Sequence, residues 1–85
     1  MQRSLETTRS QDYVMEAVGQ NAGQVWKYLY DNGETSVLKI KTELGITSGA
    51  VHMALGWLMR EDKIEFEFGS GYPVVRLKRE KSEIV

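Results

Sequence analysis

Several side chains between residues 39 and 60 have the chemistry needed to hold phosphate. Lys39 and Lys41 are cations, and Thr47 and Ser48 are hydroxyl residues at the predicted start of a helix. The first amides of a helix have no partners inside it, and that end carries the positive end of the helix dipole. An anion is therefore favoured beside Thr47 and Ser48, and all four residues are candidates for contact with phosphate oxygens.

A second set of candidates lies on one face of the helix that follows Thr47. When residues are placed 100° apart, Val51 and Leu58 define its inward side. The opposite side carries what we call the outward stripe, formed by Gly49, His52, Met53, Gly56 and Arg60. Arg60 can read base edges through paired hydrogen bonds, and His52 and Met53 are candidates to face bases. Because Arg60 lies in the last turn, sequence-specific recognition is predicted to be weak.

The outward stripe also suits a protein partner. Gly49 and Gly56 are seven residues apart and form a predicted shallow groove, which is flanked by Met53, Trp57 and Met59. Small residues allow close approach, and methionine and tryptophan are enriched at protein interfaces. Three occupants are open for this groove: a nucleic acid, another protein chain or second copy, and residues 12–19 of the same chain. Trp57 has the alternative of closing the core against a hairpin.

The sequence lacks the groups that catalysis or metal binding would need. It contains one histidine, His52, and no cysteine. Disulfides, thiolate zinc sites and two-histidine metal sites are thereby excluded. No nucleophile, base and orienting residue can be grouped, and the glycine-rich GSG segment lies in a predicted hairpin rather than before a helix. We predict no enzymatic activity, no metal or other cofactor and no small-molecule ligand.

Charge and hydropathy narrow the choice of partner. The chain has 85 residues and a net charge of -1, and from residue 20 to residue 78 seven basic residues balance seven acidic ones. A domain that mainly holds a polyanion usually carries a basic excess on one face, so this balance favours a protein partner. No apolar run approaches the ~20 residues that cross a bilayer, and the polar N-terminus has no signal-peptide core. A cytoplasmic location without membrane contact is expected.

The elements before residue 45 are predicted from apolar spacing. Residues 1–11 are expected to form a flexible N-terminal arm, and residues 12–19 are ambiguous, with a short helix ending at Gly19 as one possibility. A clear helix is predicted from an N-cap at Asn21, with inward positions Ala22, Val25, Trp26 and Leu29. An extended segment leads to a second helix that is capped by Thr35 or Ser36 and stopped by Gly45, with inward positions Val37, Ile40 and Leu44.

The second half is predicted to contain one more helix and a β-hairpin. Thr47 caps the third helix, whose inward positions are Val51, Ala54, Leu55 and Leu58. After Asp62 the apolar period becomes 2, which places Ile64, Phe66 and Phe68 on one face with Val75 and Leu77. Glu65 and Glu67 are expected to pair with Arg76 or Lys78. Pro73 suits an edge strand or the first residues of a strand. Residues 79–85 read as a charged C-terminal tail.

This order of elements predicts an α+β fold of the winged helix-turn-helix type, with a three-helix core and a two- or three-stranded wing. The domain is expected to cover residues 12–78, with its core from about residue 20. The words NAGQVW, ALGW and REDKIEF within it resemble a family of short stand-alone winged helix-turn-helix proteins of transcription-regulator type. The resemblance implies nucleic-acid binding and no particular activity. In that interpretation Ser70, at the wing tip, is a further candidate contact.

Two hypotheses follow. The first is a DNA-binding winged helix protein that binds weakly or as part of a dimer or complex, with its third helix in the groove. The second is a protein-interaction domain that uses the third-helix face, at Gly49, Met53, Gly56, Trp57 and Met59, without direct DNA binding. The outward stripe and the charge balance favour the second hypothesis, and the family resemblance favours the first.

Overall fold

The computed structural model describes residues 2–68, 71 and 73–78, with side chains from residue 10 onward. Three helices and three strands follow one another along the chain as α1 Gln2–Asn32, β1 Thr35–Ser36, α2 Val37–Leu44, α3 Ser48–Arg60, β2 Ile64–Phe68 and β3 Pro73–Leu77. The strands form one antiparallel sheet beside the helices. The predicted α+β winged helix-turn-helix architecture is therefore confirmed, with a three-stranded sheet.

The sheet has the order β1-β3-β2, so β3 is its central strand. Ile64 pairs with Leu77 and Phe66 with Val75, which puts the apolar residues of both strands on one face, as their alternation predicts. Pro73 is the first residue of β3, where a missing amide donor is tolerated. The prediction that Pro73 lies at a strand start is confirmed, and the edge-strand alternative is wrong.

Every helix contributes to one core, which also receives a residue from each long strand. Its members are Ala22, Val25, Leu29, Ile40, Val51, Ala54, Leu55, Leu58, Ile64 and Val75, each no more than 5% exposed. The four inward positions predicted for α3 are all among them. Val37, Leu44, Ile46 and Trp57 are partly buried around this core. The 3.6-residue spacing thus predicted correctly how α2 and α3 turn toward the interior.

The start of the chain differs from the sequence prediction. α1 runs without a break from Gln2 to Asn32, so residues 2–11 continue the same helix, and neither Gly19 nor Asn21 marks a boundary. That residues 1–11 form a flexible arm stays a prediction. A side chain at Gly19 would place its Cβ 3.8 Å from the indole of Trp57. The glycine lies where α3 packs closely against α1, and this contact offsets its weak helix propensity. The domain limits of 12–78 stay a prediction.

Two aromatic residues predicted to point inward lie outside the core. Trp26 is 37% exposed and stacks on Tyr30, with ring centroids 5.2 Å apart. Val25 and Leu29 fill the core beside this part of α1, which leaves Trp26 at the edge of the apolar face of α1. Phe68 is 76% exposed and stacks on Phe66 at 6.1 Å, because β2 extends past the end of the core.

Candidate nucleic-acid interface

The turn between α2 and α3 fixes the start of the candidate interface. Gly45 ends α2 with φ +65°, in the left-handed region, and its amide donates to the carbonyl of Lys41 at 2.9 Å. Thr47 then caps α3, and its hydroxyl oxygen accepts from the amide of Ala50 at 3.1 Å. Ser36 caps α2 in the same way, through the amide of Lys39. The predicted helix cap at Thr47 and the predicted helix end at Gly45 are therefore confirmed. Of the two residues predicted to cap α2, Ser36 rather than Thr35 is the cap.

A groove of about 230 Å³ lies between α2, α3 and the start of β3. Its walls include Lys41 from α2 and Ser48 and His52 from the first half of α3, next to the apolar side chains of Leu38 and Pro73. The structure therefore brings together three of the predicted phosphate and base contacts. A cation, a hydroxyl and an imidazole beside apolar surface can accommodate a sugar-phosphate strand.

The imidazole of His52 is held in place by its own helix. Its Nδ1 lies 2.8 Å from the carbonyl oxygen of Ser48, one turn earlier. A carbonyl oxygen can only accept a hydrogen bond, so Nδ1 carries the hydrogen and donates it. His52 as a residue is exposed and lines the groove, and its other ring nitrogen is Nε2. His52 is therefore oriented before any ligand arrives.

The other predicted contacts are more widely spread. Arg60 is exposed in the last turn of α3, about 18 Å along the helix axis from Ser48. Met53 is 51% exposed on the outward stripe, and Lys39 is exposed on α2 without lining the groove. Thr47 is exposed, but its oxygen already serves as the α3 cap. Ser70 lies outside the described residues.

Ion pairs occupy most of the cations whose side chains the structure describes. Lys27 pairs with Asp31 at 2.9 Å and Lys63 with Glu61 at 3.7 Å. Lys78 pairs with Asp62 at 2.5 Å. In this part of the chain, the Lys and Arg side chains without a carboxylate partner within 4.0 Å are Lys39, Lys41 and Arg60. All three had been predicted from sequence as nucleic-acid contacts, and all three lie on α2 or α3.

Arg76 shows how the sheet neutralises its own positive charge. Its guanidinium nitrogens lie 2.8 Å from Glu67, 3.2 Å from Glu65 and 3.6 Å from Glu34. The hydrogen bond to Glu67 raises the pKa of Arg76, with smaller contributions from the charges of the other carboxylates. The predicted pairing with Glu65 and Glu67 is confirmed, and Glu34 was missed because it reaches Arg76 from a distant part of the chain.

The glycines of the outward stripe face open space. A Cβ at Gly49 or Gly56 would meet no atom within 4 Å among the described residues outside its own helix turn. No described atom of residues 12–19 lies within 4 Å of those two Cβ positions, so this segment does not cover the glycines of the groove. Met59 is 52% exposed, whereas Trp57 is half-buried against α1 at Gly19. Trp57 thus supports the core from the α1 side.

No three His, Asp or Glu side chains come together in a group that could hold a metal ion in the described part of the chain. None of the helices described is long and apolar enough to cross a bilayer.

Solved structures of other proteins share this fold. The Zalpha domain of PKZ from Carassius auratus, solved in complex with Z-DNA, is 26% identical, with a TM-score of 0.65, and the match covers 73% of this chain and 98% of that domain. Protein BT2368 from Bacteroides thetaiotaomicron is 29% identical, with a TM-score of 0.68, over 73% of this chain and 76% of that protein. A transcriptional regulator at 23% identity and a TM-score of 0.63 shares the fold over 78% of this chain and 56% of its own.

A relative was also found by sequence. Uncharacterized protein MJ1608 from Methanocaldococcus jannaschii is 44% identical over 50 residues, which cover 55% of this chain and 70% of the archaeal protein. Residues 12–77 match a family described as winged helix-turn-helix domain (DUF2582). Because that match covers most of the chain and agrees with the order of helices and strands, the chain belongs to this winged helix-turn-helix family.

Proposed function

We propose that this protein binds duplex DNA with α3 against a groove and with most of its contacts to the phosphate backbone. One observation carries the proposal: the cations without carboxylate partners in the described part of the chain, Lys39, Lys41 and Arg60, lie on the two helices of the helix-turn-helix. The Zalpha domain in complex with Z-DNA, a neighbour at 26% identity, supports DNA as a ligand for a fold of this shape.

The proposed DNA contacts of α2 and α3 are of two kinds, to phosphates and to bases. In this proposal, Lys41, Ser48 and the start of α3 hold one phosphate strand at the α2–α3 groove. Arg60 contacts a second phosphate or a base at the far end of α3. Gly49, Met53 and Gly56 have no hydrogen-bonding side chains, so these three positions offer no paired hydrogen bonds to bases. Binding is therefore weak and mainly independent of sequence, or it relies on a second copy that doubles the number of contacts.

Amide chemical shifts test this proposal directly. Mixed-sequence duplex is titrated into isotopically labelled protein at about 50 mM and about 150 mM salt, because backbone binding is strongest at low salt. We expect shifts in the second half of α2 and on α3, centred on Lys41, Ser48 and His52, that shrink at the higher salt. Lys41→Gln should weaken them, whereas Lys27→Gln, which removes a cation held by Asp31 on α1, should not. An unchanged spectrum at about 50 mM salt would overturn the proposal.

A second candidate function is protein binding through the outward stripe. The observation that favours it is the pair of half-exposed methionines, Met53 and Met59, beside glycines that face open space. A partner backbone can approach Gly49 and Gly56 closely, and methionine adapts to varied surfaces. Gly56→Leu should abolish such binding and leave the fold intact. Shifts on α3 that depend on protein concentration in the absence of DNA would support this candidate.

A further inference from the structure

We propose that His52 reads DNA as a neutral hydrogen-bond acceptor, with its Nε2 directed at the amino groups that adenine and cytosine display in the major groove. The inference rests on the proposed DNA-binding function and deepens it by naming the chemical group that the middle of the interface recognises. It assigns base selectivity to a histidine, a residue type that is not among those that usually make two hydrogen bonds to one base.

The geometry that carries this inference is the bond between His52 and Ser48. The carbonyl of Ser48 lies 2.8 Å from Nδ1 and can only accept, so in the neutral ring the hydrogen is on Nδ1. Nε2 then has a free lone pair and no hydrogen. The helix itself thus selects the tautomer, and the ring does not have to reorient on binding. Preorganised acceptors lose less entropy when a ligand binds.

The position of His52 on α3 suits contact with bases. It lies in the first half of the helix, from which base contacts usually come in helix-turn-helix proteins. Adenine N6 and cytosine N4 are the hydrogen-bond donors of the major groove, and an acceptor distinguishes them from O6 and N7 of guanine and O4 of thymine, which are themselves acceptors. Ser48 and Lys41, in the same groove, are left to contact phosphate.

Protonation would reverse the chemistry of the ring. An imidazolium carries a hydrogen on both nitrogens, so Nε2 would meet amino groups as a second donor. An imidazolium that contacts phosphate would instead bind more tightly than the neutral ring. Among the described residues that line the groove, Lys41 is the other ionisable side chain. The sign of the pH effect therefore separates the two roles.

The first experiment measures the dissociation constant for a mixed-sequence duplex at fixed low salt, at about pH 8 and about pH 5.5. His52→Gln serves as the control, because it keeps an acceptor that does not titrate and reports the general effect of acid on the complex. Relative to this variant, the wild-type protein should lose about tenfold in affinity on acidification. Thermal unfolding of both proteins at both pH values checks that each remains folded.

The second experiment blocks the amino groups. In a duplex containing N6-methyladenine and N4-methylcytosine, the methyl group takes the place of the hydrogen that faces the major groove. The wild-type protein should bind this duplex about tenfold more weakly than the unmodified one at about pH 8. His52→Ala should bind the two duplexes with a much smaller difference, because it has no acceptor to lose.

The outcomes separate the inference from the function on which it rests. If the wild-type protein binds no duplex at about pH 8 and low salt, the proposed function fails and the inference fails with it. If it binds, but acid strengthens binding relative to His52→Gln or leaves it unchanged, DNA binding stands and the acceptor role of His52 is overturned. Equal penalties for methylated duplex in the wild type and in His52→Ala would also overturn that role.

Discussion

Gly56 leaves open space on the outside of α3, in the interior of a helix where glycine is unfavourable. No described atom outside its own turn would touch a Cβ there. Gly56→Ala should therefore raise the free energy of unfolding by about 0.5–1 kcal/mol, because alanine restricts the unfolded chain and favours the helix. Urea denaturation followed by tryptophan fluorescence measures the change. The same variant should bind DNA or a protein partner less well wherever that ligand approaches the helix backbone.

Gly45 provides the contrasting control. Its φ of +65° lies in the left-handed region, in which residues with a Cβ are strained. Gly45→Ala should lower the free energy of unfolding by about 1 kcal/mol or more, although it too faces open space. If both alanine variants shifted the free energy of unfolding in the same direction, the conclusion that the fold requires glycine at position 45 but not at position 56 would be incorrect.

Single residues also show why sequence prediction has a limit at the edge of an apolar stripe. Trp26 was predicted inside the core and Trp57 was open between core and interface, yet Trp57 is the more buried of the two. A large amphipathic ring at a stripe boundary can turn toward either side, and helical spacing does not decide which. The deciding contact for Trp57 is Gly19 on α1, which is 38 residues earlier in the chain. Such long-range contacts are not visible in local spacing.

At the scale of elements, the sequence predicted correctly those helix ends that are fixed by a capping residue close by in the chain. Ser36 and Thr47 cap α2 and α3, and Gly45 ends α2, because each residue satisfies backbone groups within a few positions of itself. The length of α1 was missed for the opposite reason. Glycine and asparagine at 19–21 are typical of helix ends, and only packing against α3 shows that the helix continues.

The extent of the core along α1 can be tested with two valines of the same helix. Val25 is fully buried, whereas Val14 is 47% exposed near the N-terminal end of the packed region. Substitution by alanine changes helix propensity equally at both sites, so the difference between them reports burial alone. We expect Val25→Ala to cost about 2 kcal/mol more than Val14→Ala in the free energy of unfolding, for two lost methyl groups and the resulting cavity.

Denaturant unfolding of the two valine variants provides the measurement. Val14→Ala should lie within about 0.5 kcal/mol of the wild type, as is usual for surface substitutions. A cost at Val14 as large as that at Val25, together with a dependence on protein concentration, would contradict a solvated Val14 and would indicate that a second copy covers this part of α1.

At the scale of the whole molecule, the charge balance hides an uneven arrangement. A net charge of -1 argues against a general affinity for polyanions. The ion pairs, however, neutralise cations on α1 and in the β-sheet region. Among the described side chains, Lys39, Lys41 and Arg60 on α2 and α3 are left without a carboxylate partner. Counting charged residues in the sequence yields the net charge but not which cations are paired. That depends on the fold, since Arg76 meets carboxylates from three separate positions in the chain.

The salt dependence of DNA binding measures how many of these cations act together. Each phosphate neutralised contributes about -0.9 to the slope of log affinity against log salt, so three cations predict a slope of about -2.7. Lys39→Gln with Lys41→Gln should reduce its magnitude by about 2, and Lys27→Gln should leave it unchanged. Fluorescence anisotropy between about 50 and 200 mM salt gives the slopes. A slope near -5.4 would show that two copies bind together, and a slope unaffected by the double substitution would contradict the assignment of α2 to the interface.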